Sequence, residues 1–258
     1  MIKFFQRRIV LVGVILSSLS YGVDIHNYNE AVNIAGKQRM FTQRMMKDYA
    51  MVGMANTFGN PTEDLKEIIS KFDDAQTSLL AFAKSSVTKE KIKAVNELWV
   101  KIKQDLESEP QKEKVQDIQI NLDNLLKLAN DATKAFVEES GSNSSEIVNI
   151  AGRQRMLSQR MAGLYMLQVW GVEDPAFKQK LEDSMNLFAT SLETLEKYEK
   201  NSEEITNLLS KVKRSYRFFE MMSKSTQRFI PTLIYKKSND ILKDMNEVTI
   251  KYTQLKIK

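Results

Sequence analysis

Residues 32–45 read VNIAGKQRMFTQRM, and residues 148–161 read VNIAGRQRMLSQRM. The offset is 116 residues. Eleven of the fourteen positions are identical, and the other three (Lys37/Arg153, Phe41/Leu157 and Thr42/Ser158) are conservative. Similarity at a fixed offset is the mark of a duplicated structural unit. The same offset continues downstream. Leu65 pairs with Leu181, Phe72 with Phe188 and Leu79 with Leu195. Asn130, Thr133 and Phe136 pair with Asn246, Thr249 and Tyr252. The repeat is therefore a whole module, the first spanning residues 25–141 and the second 142–258.

Each module reads as four helices. In the first they fall at about 26–57, 62–84, 88–108 and 111–139, punctuated by Gly59-Asn60-Pro61, Ser85-Ser86 and Pro110. Gly141 to Ser145 forms a hinge. The second set falls at about 145–170, 174–199, 202–226 and 231–256, with Pro175 and Pro231 at positions where first-turn prolines are tolerated. No stretch alternates with period two. The expected fold is all-α: two tandem four-helix bundles related by a pseudo-two-fold axis.

Composition bounds the function. Hydrophobic residues make up 42% of the 258, with 9 Gly, 4 Pro and no Cys. Disulfides, thiolate metal sites and a cysteine nucleophile are excluded. Lys3, Arg7 and Arg8 precede an apolar run from Ile9 to Leu19, and small residues follow at Ser20 and Gly22. That order reads as a secretory signal peptide over residues 1–22, cleaved near Gly22, with an uncleaved membrane anchor as the alternative. Without those three residues the remaining Lys and Arg nearly balance the 33 Asp and Glu. The positive net charge is thus no nucleic-acid footprint.

On a helical wheel of about 100° per residue, Ile34, Phe41 and Met45 share an apolar side. Ala35, Gly36, Arg39, Thr42, Gln43 and Met46 lie roughly opposite, and Ala151, Gly152, Arg155, Ser158 and Gln159 repeat that face. A mid-helix Gly costs about 1 kcal/mol relative to Ala, so its repetition calls for close backbone approach. If the two faces meet, Arg39 and Arg155 converge, and their donor forks suit a small oxyanion. The competing reading is plain helix packing with buried hydrogen bonds. Arg44 and Arg160 point about 140° away and are expected in salt bridges or solvent. Asn33 and Asn149 are candidate caps. The methionines at 40, 45, 46, 51 and 54 read as core rather than as a copper site.

The string AG-K/R-QRM-F/L-T/S-QRM resembles the signature of the N-terminal sensory domain of type IV pilus methyl-accepting chemotaxis transducers, the PilJ-like domain. That domain is similar in turn to the periplasmic sensor of nitrate/nitrite-responsive histidine kinases (NarX-like). The resemblance implies a four-helix periplasmic sensor in which two motif helices face each other and an Arg from each holds one nitrate. Carried onto this chain, the ligand-binding residues would be Arg39, Arg155, Gly36 and Gly152, with Gln43 and Gln159 on the same face, and both halves would come from one chain. Lys37-Gln38 and Arg153-Gln154 depart from the nitrate sensors, which carry smaller or neutral residues there, and follow the pilus-type variant.

The expected function is recognition of a small anion, nitrate or nitrite first, with the signal passed to a separate membrane-bound partner. The alternative is a ligand-free helical adaptor for a membrane sensor or pilus-associated system. No catalytic residue, metal, cofactor or nucleic-acid partner is expected. The single histidine, His26, stands outside any constellation, and the acid pairs Asp73-Asp74 and Glu203-Glu204 read as solvated faces.

Overall fold

The computed structural model describes residues 23–223 and 230–255. The signal-peptide expectation for 1–22, and the ends expected for the seventh and eighth helices, lie outside the described residues. Within them the chain forms α1 (Tyr28–Gly53), α2 (Pro61–Phe82), α3 (Ser86–Glu107), a 3-10 turn (Lys112–Lys114), α4 (Val115–Ser140), α5 (Asn143–Val169), α6 (Phe177–Glu196), α7 (Glu203–Ser223) and α8 (Pro231–Thr253). Among the described residues there is no strand, and no helix is long and apolar enough to cross a membrane.

Packing closes two four-membered rings. α1 packs on α2 and α4, and α3 on α4 and more thinly on α2. α5 packs on α6 and α8, and α7 on α8 and more thinly on α6. Phe72 against Trp99, at 4.3 Å between ring centres, anchors the first core; Phe188 against Tyr216, at 4.6 Å, anchors the second. The largest contact of all is between α1 and α5. These two helices are buried on nearly every side, because each fills its own bundle with one face and meets the other bundle with the second.

α1 and α5 run parallel and in register. Asn29 accepts from Ser145, 116 residues on, and a Cβ built on Gly36 would lie 3.9 Å from Gly152 Cα, with the reciprocal distance the same. At these two glycines the bare backbones of the two helices face each other.

Several boundaries differ from the sequence reading. α1 leaves the helix at Met54, and Ala55 adopts a left-handed conformation, so the helix stops short of 57. The hinge is narrower than Gly141 to Ser145. Left-handed Gly141 ends α4, Ser142 caps α5 by accepting from the Ser144 amide, and Ser144 and Ser145 are already helical. Pro175 is not in a first turn. The Asp174 side chain accepts from the Ala176 amide and holds Pro175 in a turn that precedes α6. Asp73 is not a solvated acid. It accepts from Trp99 Nε1 at 2.6 Å and from Lys103 at 2.7 Å, clasping α2 to α3.

The seam departs from the repeat at one level. Lys47 and Asp48 of α1 correspond to Gly163 and Leu164 of α5. The bare Gly163 backbone lies against the backbone of Gln43 and Lys47. Lys47 is fully buried, donates to Gln159 and Asn239 at 2.8 Å each, and sits 4.0 Å above the Tyr235 ring. Burial pushes the Asp48 carboxyl up to about 8, against the pull of Lys47, and pushes the Lys47 amine down to about 8. Asp64, despite its own burial, is held below the carboxylate range by Asp48, Arg44 and Lys47.

A carboxyl raised on folding contributes stability that is fully present below its ordinary value and is lost as pH rises through about 8. Asp48→Asn is therefore expected to gain on the wild type between pH 5 and 8, by about 2–4 °C or more in Tm. Calorimetric scans of both proteins across that range check it, and parallel curves would show that Asp48 is not protonated in the fold.

Candidate functional site

The site is the level of the seam where the two glycines meet. Arg39 follows Gly36 by three residues, as Arg155 follows Gly152, so each arginine lies over the glycine of its own helix. The terminal nitrogens (Nη2) of both arginines lie within 3.3 Å of the point where a Gly36 Cβ would stand, and the same holds at Gly152. The structure thus brings together Arg39, Arg155, Gly36 and Gly152. The side chains are 1% and 0% exposed.

Each guanidinium reaches across the seam. Arg39 Nη2 donates to the Asn149 carbonyl, and Arg155 Nη2 to the Asn33 carbonyl, both at 3.2 Å. Arg39 Nη1 donates to Asn130 Oδ1 on α4, and Arg155 Nη1 to Asn246 Oδ1 on α8, both at 3.0 Å. The contacts repeat with the roles of the modules exchanged. One difference breaks the match. Arg155 Nη1 also donates to Asn33 Oδ1 at 2.9 Å, whereas the equivalent Asn149 Oδ1 is buried without a hydrogen-bond partner.

Asn33 and Asn149 are therefore not caps. α1 begins earlier, with Asn27 as cap, and α5 with Ser142, so both asparagines lie inside helices and serve the arginines instead. Asn130 and Asn246 belong to the site but carried no site reading in sequence. Their pairing at the repeat offset was the available signal.

Neither Arg39 nor Arg155 has an acidic partner within 4 Å among the described residues. All the oxygens that meet them are neutral amides. Burial holds both guanidiniums down to about 9; for Arg39, nearby Arg153 and Arg155 push the same way and Glu146 opposes. The Nε of each is buried with no hydrogen-bond partner. Taking a cation out of water costs several kcal/mol, and a charged group left short of partners costs more than a neutral one. Two such groups aimed at one place form a strongly positive, dehydrated centre.

The other conspicuous charges are neutralised. Arg44 donates to Asp64 through Nε at 2.9 Å, and Arg160 to Asp123 at 2.6 Å. Gln43 and Gln159 lie one turn further along the helices and are engaged by protein. Gln43 donates to Thr42 and accepts from Arg160 at 3.0 Å. Gln159 donates to the Ser238 carbonyl at 3.0 Å and accepts from Lys47. The buried methionines of α1 line the core. No cluster of His, Cys, Asp or Glu fit for a metal ion occurs among the described residues.

Two helical modules of one pattern, each with an arginine-bearing motif helix, thus meet at this seam. Residues 25–127 and 136–224 match the family described as Type IV pili methyl-accepting chemotaxis transducer N-term, PilJ, and the chain belongs to that family, carrying it in two tandem copies. The second match covers α5 to α7 and ends before α8. No curated protein and no solved structure matches the chain.

Replacing Asn130 by Asp would set a carboxylate against Arg39 Nη1. A hydrogen bond to a charged partner contributes about 1.5–3 kcal/mol, so Asn130→Asp is expected to raise Tm by about 4 °C or more at neutral pH. Thermal denaturation checks it. A fall in Tm would mean that the charge of Arg39 is already balanced.

Proposed function

We propose that the chain is a periplasmic, non-enzymatic sensory protein that holds a small anion between α1 and α5, with Arg39 and Arg155 as the charged grip and Gly36 and Gly152 as the cradle. Nitrate or nitrite is the first choice of ligand, and the signal passes to a separate membrane-bound partner. The observation that carries this reading is the pair of buried guanidiniums without a carboxylate between them. An oxyanion there would supply the missing charge and accept from donors that the protein leaves idle. The PilJ family, a transducer sensory domain, supports the sensory role. The nitrate preference rests on the resemblance of the motif to nitrate-responsive sensors. Gln43 and Gln159 stay in the proposal as the wall one turn further on, reachable only if they exchange their present partners.

One observation favours a second reading, a ligand-free adaptor. The Nη atoms of both arginines already bond to asparagines and backbone carbonyls. Under that reading they are cross-links that lock the two modules together.

The two readings part under thermal scanning. A ligand that binds only the folded chain at a hundred times its Kd stabilises it by about 2.7 kcal/mol. Millimolar nitrate, nitrite or sulfate is expected to raise Tm, with chloride as control. Arg39→Met should abolish that rise without unfolding the protein, because it removes a buried uncompensated charge. Gly36→Ala should also abolish it. Its methyl would stand 3.2 Å from one guanidinium and 3.3 Å from the other, filling the cradle. No rise with any of the three oxyanions favours the adaptor.

A further inference from the structure

The arginine pair is sealed, so any guest needs a way in. A groove of about 400 Å³ opens between α4, α5 and α6, lined by Lys127, Asn130, Lys134, Arg153, Arg160 and Leu187 among others. Asn130, in its lining, is the residue whose Oδ1 accepts from Arg39 Nη1. One half-buried amide therefore stands between an open surface groove and the buried guanidinium.

The groove is cationic. Arg160 is spent on Asp123, but Lys127, Lys134 and Arg153 have no ion pair within 4 Å among the described residues. Arg153 is close enough to Arg39 to weaken its hold on a proton. A concave surface lined by one sign of charge concentrates the opposite ion and speeds its arrival.

The repeat supplies an internal comparison on the other side of the seam. There, Lys127, Lys134 and Arg153 correspond to Lys243, Ile250 and Lys37. The cation at 134 is replaced by an apolar side chain, and the cation that stands in place of Leu187, Lys71, is paired with Glu67. The inner barrier is also firmer on that side. Arg155 Nη1 is held by two asparagines, Asn33 and Asn246, while Arg39 Nη1 is held by Asn130 alone, with Asn149 Oδ1 left without a partner. Opening at Asn130 breaks one bond of that nitrogen, and opening at Asn246 leaves the second in place.

We infer that the α4–α5–α6 groove is the route by which a small anion reaches the arginine pair, with Lys127, Lys134 and Arg153 drawing it in and Asn130 acting as the gate. This rests on the anion-binding reading above. It assigns the two faces of a near-symmetric molecule different tasks.

The test is an NMR line-shape titration with nitrate, repeated with nitrite and sulfate, that yields association and dissociation rates separately. Lys127→Glu with Lys134→Glu is expected to slow association about tenfold or more at low ionic strength, with the difference closing at high salt. Dissociation should be unchanged. Lys71→Glu with Lys243→Glu reverses as many charges on the opposite face and should slow association less than threefold. Asn130→Ala should speed association as well as dissociation, as removal of a gate does; faster dissociation with unchanged association overturns the gate. Equal slowing by both charge reversals, or none by the first, overturns the route while the anion site stands. Failure of the wild-type chain to bind any of the three anions overturns the site and the route together.

Discussion

Two positive charges buried at one point, with only neutral amides around them, set the terms for the rest of the seam. Such a centre is tolerable only if the surrounding structure over-determines it. The structure does so by crossing the arginines. Each is fixed by the backbone of the opposite helix and by an asparagine from the fourth helix of its own module. The glycines follow from the same demand. A side chain at either position would press on both guanidiniums. The long α1–α5 contact, with its apolar and small residues above and below, provides the stability that a repulsive pair withdraws.

Duplication within one chain frees the halves to differ. In a dimer of identical subunits every seam residue would occur twice, so a buried lysine would face its own copy. Here Lys47 meets Gly163, and its charge lies over the Tyr235 ring and between Gln159 and Asn239. The Asp48–Lys47 pair exists on one side only. The halves also differ where their sequences agree: Arg155 has two asparagine partners at Nη1 and Arg39 one. Each difference is small, yet both fall in the seam that joins the modules.

Much of this was legible in the sequence, and the reasons for the exceptions are physical. The repeated motif carried the helical duplication, and a glycine three residues before an arginine, occurring twice, was enough to expect close approach with converging charge. Arg44 and Arg160 were separable from Arg39 and Arg155 by angle alone. Asn130 and Asn246 pair at the repeat offset, but each lies 91 residues from the arginine it serves, so nothing local tied them to it. Gln43 and Gln159 share the arginine face on a wheel, but a wheel cannot say which amides are already satisfied by other helices. Lys47-Asp48 looks like any exposed charge pair. Only its failure to recur at Gly163-Leu164 could have drawn notice. Pro175 was misplaced because the Asx turn at Asp174 outcompetes a helix start.

Holding both halves of the site in one chain also changes what a ligand would have to do. Between separate subunits, part of any binding energy is spent bringing the halves together, and the apparent affinity then depends on protein concentration. In this chain the halves are already joined by the Gly141–Ser142 connection and the in-register seam. A guest between the arginines would meet a preformed centre and only relieve its repulsion. On the anion-binding proposal, the response would be a change in how tightly α1 and α5 lie against each other, expressed at the ends of those two helices. Any partner that reads the signal has to touch the molecule where that spacing is felt.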